Sequence, residues 1–279
     1  MAVTGSGAAV EIEILSSVSH INIIQYLESF DDDKVFYLVM EKFGTPWGGE
    51  TLSDTLLVRH DLGSATLPDS TLLTVTNGSC ATLFDFIDLF GYVPLHLHKV
   101  IFSQVASAVA HLHNQQIIHG DIKEENILLQ SIGNGSYSVR LCDFGHARRI
   151  KRSQPGMKFY GTRDISPPEL LTYMHECENG LDISANSCVS GYAQDIWALG
   201  MVLYTVIHGC LPANQEAYLN NQLDLSRQEF LPAAYDENIR RGSNVLTIDC
   251  LDILQKMLWI DPKKRITISQ IMLHPWMNP

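Results

Sequence analysis

Two short segments of the chain carry residues able to do chemistry. The first reads His119-Gly120-Asp121-Ile122-Lys123-Glu124-Glu125-Asn126, and the second, further on, reads Asp143-Phe144-Gly145. Together they set two aspartates, a lysine and a carboxamide at fixed offsets. An asparagine oxygen and a carboxylate are hard ligands of the kind Mg²⁺ takes alongside phosphate oxygens. A second carboxylate can accept the proton of a hydroxyl, and a lysine can sit on a phosphoryl group in transfer. That is equipment for phosphoryl transfer, where catalysis is mostly positioning and charge neutralisation.

The elements that must position these groups are short strands. Ile127-Leu128-Leu129 follows the first segment, Val139-Arg140-Leu141 precedes the second, and Gly133-Asn134-Gly135 reads as the turn between them. Two such strands hold Asp121, Asn126 and Asp143 around one small space.

Bulk properties narrow the field. With 279 residues there is room for two small lobes or one large domain. A net charge of -12 argues against a general nucleic-acid-binding surface. Six cysteines stand at 80, 142, 177, 188, 210 and 250 without a Cys-x-x-Cys pair, so neither a zinc site nor a disulfide framework is indicated. Reduced thiols in a cytoplasmic or nuclear setting follow. Met1 to Val10 lacks the basic and apolar regions of a signal peptide. Ile196 to Gln215 has no Asp, Glu, Lys or Arg, but Gly209, Pro212 and Asn214 interrupt it, so it reads as a buried helix and no membrane is expected.

The first segment resembles the catalytic loop of eukaryotic protein kinases, His-Arg-Asp-x-Lys-x-x-Asn, with Gly120 where the arginine stands, and the second resembles their metal-binding triplet. Lysine two places after the aspartate is the serine/threonine form. The likeness runs from about Glu11 to Trp276. It implies an α+β, protein-kinase-like bilobal fold with a mainly helical large lobe, and ATP and Mg²⁺ as cofactors. The expected partners are ATP and a protein substrate, on a monomer. Val39-Met40-Glu41-Lys42-Phe43-Gly44, Pro46-Trp47-Gly48 and Leu83-Phe84-Asp85-Phe86-Ile87-Asp88 further resemble the PAS-domain-linked protein kinases of fungi.

Carried over position by position, Asp121 is the base and Lys123 steadies the transferring phosphate. Asn126 and Asp143 hold Mg²⁺. Backbone groups of Glu41 and Phe43 bond adenine, Leu128 is its floor, and Met40 guards the back of the pocket. Glu11 is the helix glutamate of the small lobe. Leu15, Tyr26, His119 and Phe144 stack as an internal spine. Thr162 touches the base, Asp195 binds the backbone of the catalytic loop, and Glu169 pairs with Arg265 in a buried ion pair. Gly120 removes a cation that receives an activation-loop phosphate in many kinases, so activity without such a phosphate is expected.

The chain divides, on this reading, into a flexible tail (1–10), a partial small lobe with hinge (11–43), a disordered insertion (44–81) and the large lobe (82–279). Within it, Glu11 opens a helix, Ile23 to Leu27 and Val35 to Met40 read as strands, Leu95 to Asn114 as a long helix, and 173–191 as a second insertion. His96, His98, His111 and His113 read as polar surface histidines. Ala213 to Arg241 shows no pattern.

The small lobe reads as incomplete. The family's Gly-rich hairpin and its third strand with a lysine have no counterpart before Glu11, and no lysine occurs before Lys34. Glu11 is therefore expected to lack a lysine partner, and Mg-ATP to bind weakly at best. Two alternatives stand beside the protein kinase reading: a pseudokinase scaffold that binds partners through its large lobe, and a small-molecule phosphotransferase, whose loop the His119-Gly120-Asp121 sequence also resembles.

Overall fold

The computed structural model describes residues 2–3, 6–31, 36–46, 79–91, 93–150, 162–180, 190–212 and 247–278. The small lobe holds β1 (Ala2–Val3), α1 (Ser6–Ser17), β2 (Tyr26–Asp31) and β3 (Phe36–Met40), with β3 between antiparallel neighbours in the order β1-β3-β2. Helix α1 buries Glu11, Ile14, Leu15 and, just past its end, Val18, at the spacing of one helical face.

The expected flexible tail over 1–10 is corrected. The helix begins at Ser6, because Ala8-Ala9 are strong helix formers that extend it back from Glu11. Ala2 and Val3 pair with Tyr37 and Phe36, satisfying the open edge of β3. The expected strand at Ile23 to Leu27 also moves, to Tyr26–Asp31. Ile23 and Ile24 are buried between the lobes instead. There the Asn22 carbonyl accepts the Leu141 amide at 2.8 Å and the Ile24 amide donates to the Leu141 carbonyl at 2.9 Å.

A second sheet joins β4 (Thr45–Pro46), β5 (Ser79–Thr82), β7 (Ile127–Gly133) and β8 (Ser136–Leu141) in the order β4-β5-β7-β8. The expected insertion over 44–81 is thus ordered at both ends, where β5 finds the free edge of β7 and β4 that of β5; 47–78 lie outside the described residues. A two-stranded pair, β6 (Ile117–Ile118) with β9 (Arg148–Arg149), brackets the catalytic segment.

The helices are α2 (Leu83–Phe90), α3 (Leu95–Asn114), α4 (Pro168–Glu178), α5 (Gly191–His208), α6 (Ile248–Met257) and α7 (Ile268–Met272). Thr82 with Asp85, and Thr267 with Gln270, form reciprocal capping boxes at the starts of α2 and α7. The second expected insertion is corrected as far as Glu178, which α4 includes; 181–189 and 213–241 lie outside the described residues. Helix α5 is the centre of the core, with Trp197, Leu199, Met201 and Leu203 fully buried and α3 and α6 packed on it. Its apolar run is explained by this position, and no helix among the described residues is long and apolar enough to cross a membrane.

Two of the four histidines are not surface groups. His98 is buried, its Nε2 bonded to the Val93 carbonyl at 2.6 Å, and His113 turns inward to Asp195. His113 lies at the end of α3 that faces the catalytic segment, and His98 near the start of that helix.

Candidate active site

The catalytic loop leaves β6 and is hung from α5. The fully buried Asp195 accepts the amides of His119 and Gly120, both at 2.9 Å, and meets His113 Nε2 at 2.9 Å. Burial pushes the Asp195 carboxyl up, but the bond and charge of His113, with the charge of His119 and the Gly120 amide, outweigh it and hold the group below the usual range. Gln194 Nε2 donates to the Gly120 carbonyl at 3.0 Å. Gly120 has φ +79°, and a Cβ there would stand 2.8 Å from the His146 carbonyl oxygen. The loop and the start of the activation segment approach each other through that missing side chain.

Asp121 points into the space below this turn and is almost entirely buried. Thr162 donates both its hydroxyl, at 2.7 Å, and its amide, at 3.1 Å, to Oδ1. Lys123 Nζ lies 2.9 Å from Oδ2 and 3.0 Å from the Thr162 hydroxyl. Burial alone would raise the Asp121 carboxyl; the Lys123 and Thr162 bonds reverse that and hold it lowered, ionised and oriented. Lys123 is partly desolvated, yet the charges of Asp121, Glu125 and Asp143 hold its ammonium raised. That balance brings Lys123 within the field of both segments' aspartates.

Asn126 completes the first segment. Its Nδ2 donates to the Asp121 carbonyl at 2.8 Å, so Oδ1 is the atom that could serve as a ligand. Its own carbonyl accepts the Cys142 amide at 2.9 Å, which brings the following residue, Asp143, beside it. Asp143 is exposed and adopts φ 60°, a left-handed conformation uncommon outside glycine. Its Oδ1 accepts the Gly145 amide at 3.2 Å. One carboxamide oxygen and one carboxylate suit Mg²⁺, a cation that normally takes only a few protein ligands and fills its remaining positions with phosphate oxygens and water.

Of the four residues expected to stack, Leu15 and Phe144 are buried, Tyr26 packs against the same core, and the His119 ring meets Phe144 edge-on at 4.9 Å. Burial pushes the His119 imidazole down, and its partners define the tautomer: Nε2 donates to the Cys142 carbonyl at 3.1 Å and Nδ1 accepts the Asp121 amide at 3.3 Å. Glu11 is buried and accepts the Phe144 amide; burial, then the charge of Asp143, raises its carboxyl. Among the described residues no lysine pairs with it.

At the other end of the cleft, Met40 closes β3 and packs on the core, and Leu128 lies half-buried on β7. The Glu41 amide is committed to the Gln25 carbonyl at 2.8 Å, so its carbonyl is the group left to face a ligand. The Glu41 side chain is not idle, as a backbone-only role would have it. Its Oε1 accepts the Gln25 amide at 3.0 Å and meets Arg140 Nε at 3.1 Å.

Comparison with known sequences agrees with this geometry. The family model of the protein kinase domain matches residues 3–277. The chain belongs to the protein kinase family. Its relatives include the serine/threonine-protein kinase PSK2 of Saccharomyces cerevisiae, 30% identical over 96% of this chain and 19% of that protein. They also include the probable serine/threonine-protein kinase fhkE of Dictyostelium discoideum, 29% identical over 96% of this chain and 31% of that protein. Human serine/threonine-protein kinase DCLK3 is 28% identical over 96% of this chain and 33% of that protein. This kinase chain thus spans between a fifth and a third of the length of these relatives.

A buried ion pair fastens the large lobe. Arg265 makes a two-pronged pair with Glu169, at 2.7 and 3.0 Å, with the arginine side chain fully buried and over the Trp197 ring. Gly161 and residues 151–160 of the activation segment lie outside the described residues. Three supports of the site were not foreseen. Gln194 carries no spacing signal beyond being next to Asp195. His113 lies six residues before His119 on a helix whose end must face the loop. Arg140 is a charged residue inside an otherwise apolar strand end, which was a readable signal.

Proposed function

We propose that this protein kinase transfers the γ-phosphate of ATP to a serine or threonine hydroxyl of a protein substrate. The observation that carries this reading is the Asp121 carboxylate, ionised and held between Thr162 and Lys123 with Asn126 on its backbone. An acceptor hydroxyl seated against Asp121 Oδ2 is oriented for attack, and its proton passes to that carboxylate. Lys123 places positive charge beside the oxygen gaining a bond to phosphorus. Asn126 and Asp143 would hold Mg²⁺, which supplies neutralisation of the phosphate oxygens when bound. The Glu41 carbonyl and Phe43 amide would take the adenine edge over Leu128.

The reading takes the protein to act as a monomer in the cytoplasm or nucleus. Unpaired thiols at Cys80, Cys142, Cys177, Cys210 and Cys250 suit a reducing compartment.

The test is phosphate transfer from radiolabelled ATP to serine- and threonine-containing protein substrates, with aminoglycoside and choline acceptors as controls. Asp121→Asn should lower transfer on the order of 10²–10⁴-fold, the contribution of a positioned base. Label that survives the substitution unchanged would exclude Asp121 as the base. Transfer to the small alcohols alone would exclude a protein substrate.

A further inference from the structure

We infer that Arg140 is the positioning residue of the adenine site, a role that rests on the ATP reading above. Arg140 stands on β8 directly across from Leu128 of β7, the expected floor under adenine. Its side chain runs toward the hinge. Nε meets Glu41 Oε1 at 3.1 Å, and the guanidinium carbon lies 4.7 Å from the centroid of the Phe43 ring. Nη1 donates to the Ser138 hydroxyl at 3.2 Å and the Val139 carbonyl at 3.4 Å, which fixes the plane of the group. The same Glu41 oxygen accepts the Gln25 amide at 3.0 Å.

One cation therefore grips the two hinge residues whose backbone groups face adenine, Glu41 through charge and Phe43 through its ring. It does so from the strand paired with the floor. Both members of the ion pair are mostly shielded, at 16% and 28% exposure, so water weakens the contact less than on an open surface. The consequence is geometric. The hinge carbonyl and amide are held at a set height above Leu128, and an adenine ring needs that spacing to bond the hinge and rest on the floor together. Arg140 touches neither nucleotide nor substrate; it acts through Glu41 and Phe43. Lysine cannot replace it fully, because a point charge keeps the ion pair but loses the planar stack over Phe43.

The experiment compares the whole chain with Arg140→Gln and Arg140→Lys. Equilibrium binding of Mg-ADP and of Mg-tripolyphosphate is measured, together with KM for ATP, kcat and the melting temperature without nucleotide. Arg140→Gln should raise Kd for Mg-ADP and KM for ATP on the order of tenfold, the loss of one charged hydrogen bond. It should leave kcat at saturating ATP and the affinity for Mg-tripolyphosphate unchanged, and Arg140→Lys should fall between. A general structural role would weaken both ligands together and lower kcat. Wild-type affinity for Mg-ADP in Arg140→Gln, or parallel loss of tripolyphosphate, overturns the role of Arg140 while the kinase reading stands. Absence of Mg-ADP binding in the unaltered chain overturns the kinase reading and this role with it.

Discussion

Asp195 and Gly120, 75 positions apart, are joined by a 2.9 Å hydrogen bond from the glycine amide to the aspartate Oδ1. With its companion bond to His119, it suspends the catalytic loop from α5, the central buried helix among the described residues. The loop has little regular structure of its own, so its shape is dictated by an element that follows it in sequence. Asp195→Asn would set an amide nitrogen against a backbone amide and leave a buried donor unpaired, at a cost of about 1–3 kcal/mol. Thermal unfolding should register the loss, and phosphate transfer should drop with it. A variant with unaltered melting temperature and transfer would remove Asp195 from this role.

Gly120 should resist substitution. Its positive φ alone costs an L-residue roughly 1–2 kcal/mol, and the close His146 carbonyl adds to this. Gly120→Ala is expected to lower the urea midpoint accordingly. Glycine stands here where many kinases carry the cation that receives an activation-loop phosphate, so Ser153→Glu is expected to leave kcat/KM as it was. A large rise from that mimic would contradict the prediction.

Thr162 gives Asp121 both an amide and a hydroxyl. Thr162→Ser retains the hydroxyl and should keep transfer near normal. Thr162→Val removes it, leaves Asp121 and Lys123 short of a shared partner, and should lower kcat on the order of tenfold, the worth of a charge-assisted hydrogen bond. Equal kcat values in the two variants would show that the hydroxyl does not orient the base.

Breaking the Glu169–Arg265 pair should cost about 3–5 kcal/mol, because a buried guanidinium would lose its counter-charge. Glu169→Gln read by chemical denaturation checks this. Pairing Glu169→Leu with Arg265→Met should recover only part of the loss. Arg265 also donates to the carbonyls of Ala193, Trp259 and Ile260, and the double variant orphans all three.

Several imidazoles make the fold acid-sensitive. Burial pushes His20, His98 and His119 down, and takes His208 to about 4. Their folded pKa values lie below the unfolded value of 6.5, so the unfolded chain binds protons first. Stability is therefore full above about pH 6.5 and is lost as pH falls toward the folded values. Urea midpoints should decline between pH 7.5 and 5, and His208→Gln should flatten that slope. A midpoint independent of pH over this range would contradict the assignment.

What could be read from the sequence follows from what is local. The offsets from His119 to Asn126 and the strands on either side are written in consecutive residues, and they fold as read. The helix at Leu95–Asn114 was equally legible, since its period lies within one window. The misreadings concern partners distant in the chain. His113 is polar and lies two residues from a surface-like His111; the distant Asp195 and Tyr192 make it internal. Ala2–Val3 and Ser79–Thr82 carry no strand signal and are strands because β3 and β7 offer open edges. Ile23 and Ile24 look like strand and serve as mortar between lobes.

The double grip of Asn22 and Ile24 on Leu141 has a mechanical result. Both backbone groups of one residue are tied to the small lobe, two positions before Asp143, the aspartate proposed to hold Mg²⁺. Any breathing of the cleft must turn about that axle rather than slide past it. Asp143 then rides close to the centre of rotation, where displacement is least, while the hinge and the acceptor end sweep the wider arcs.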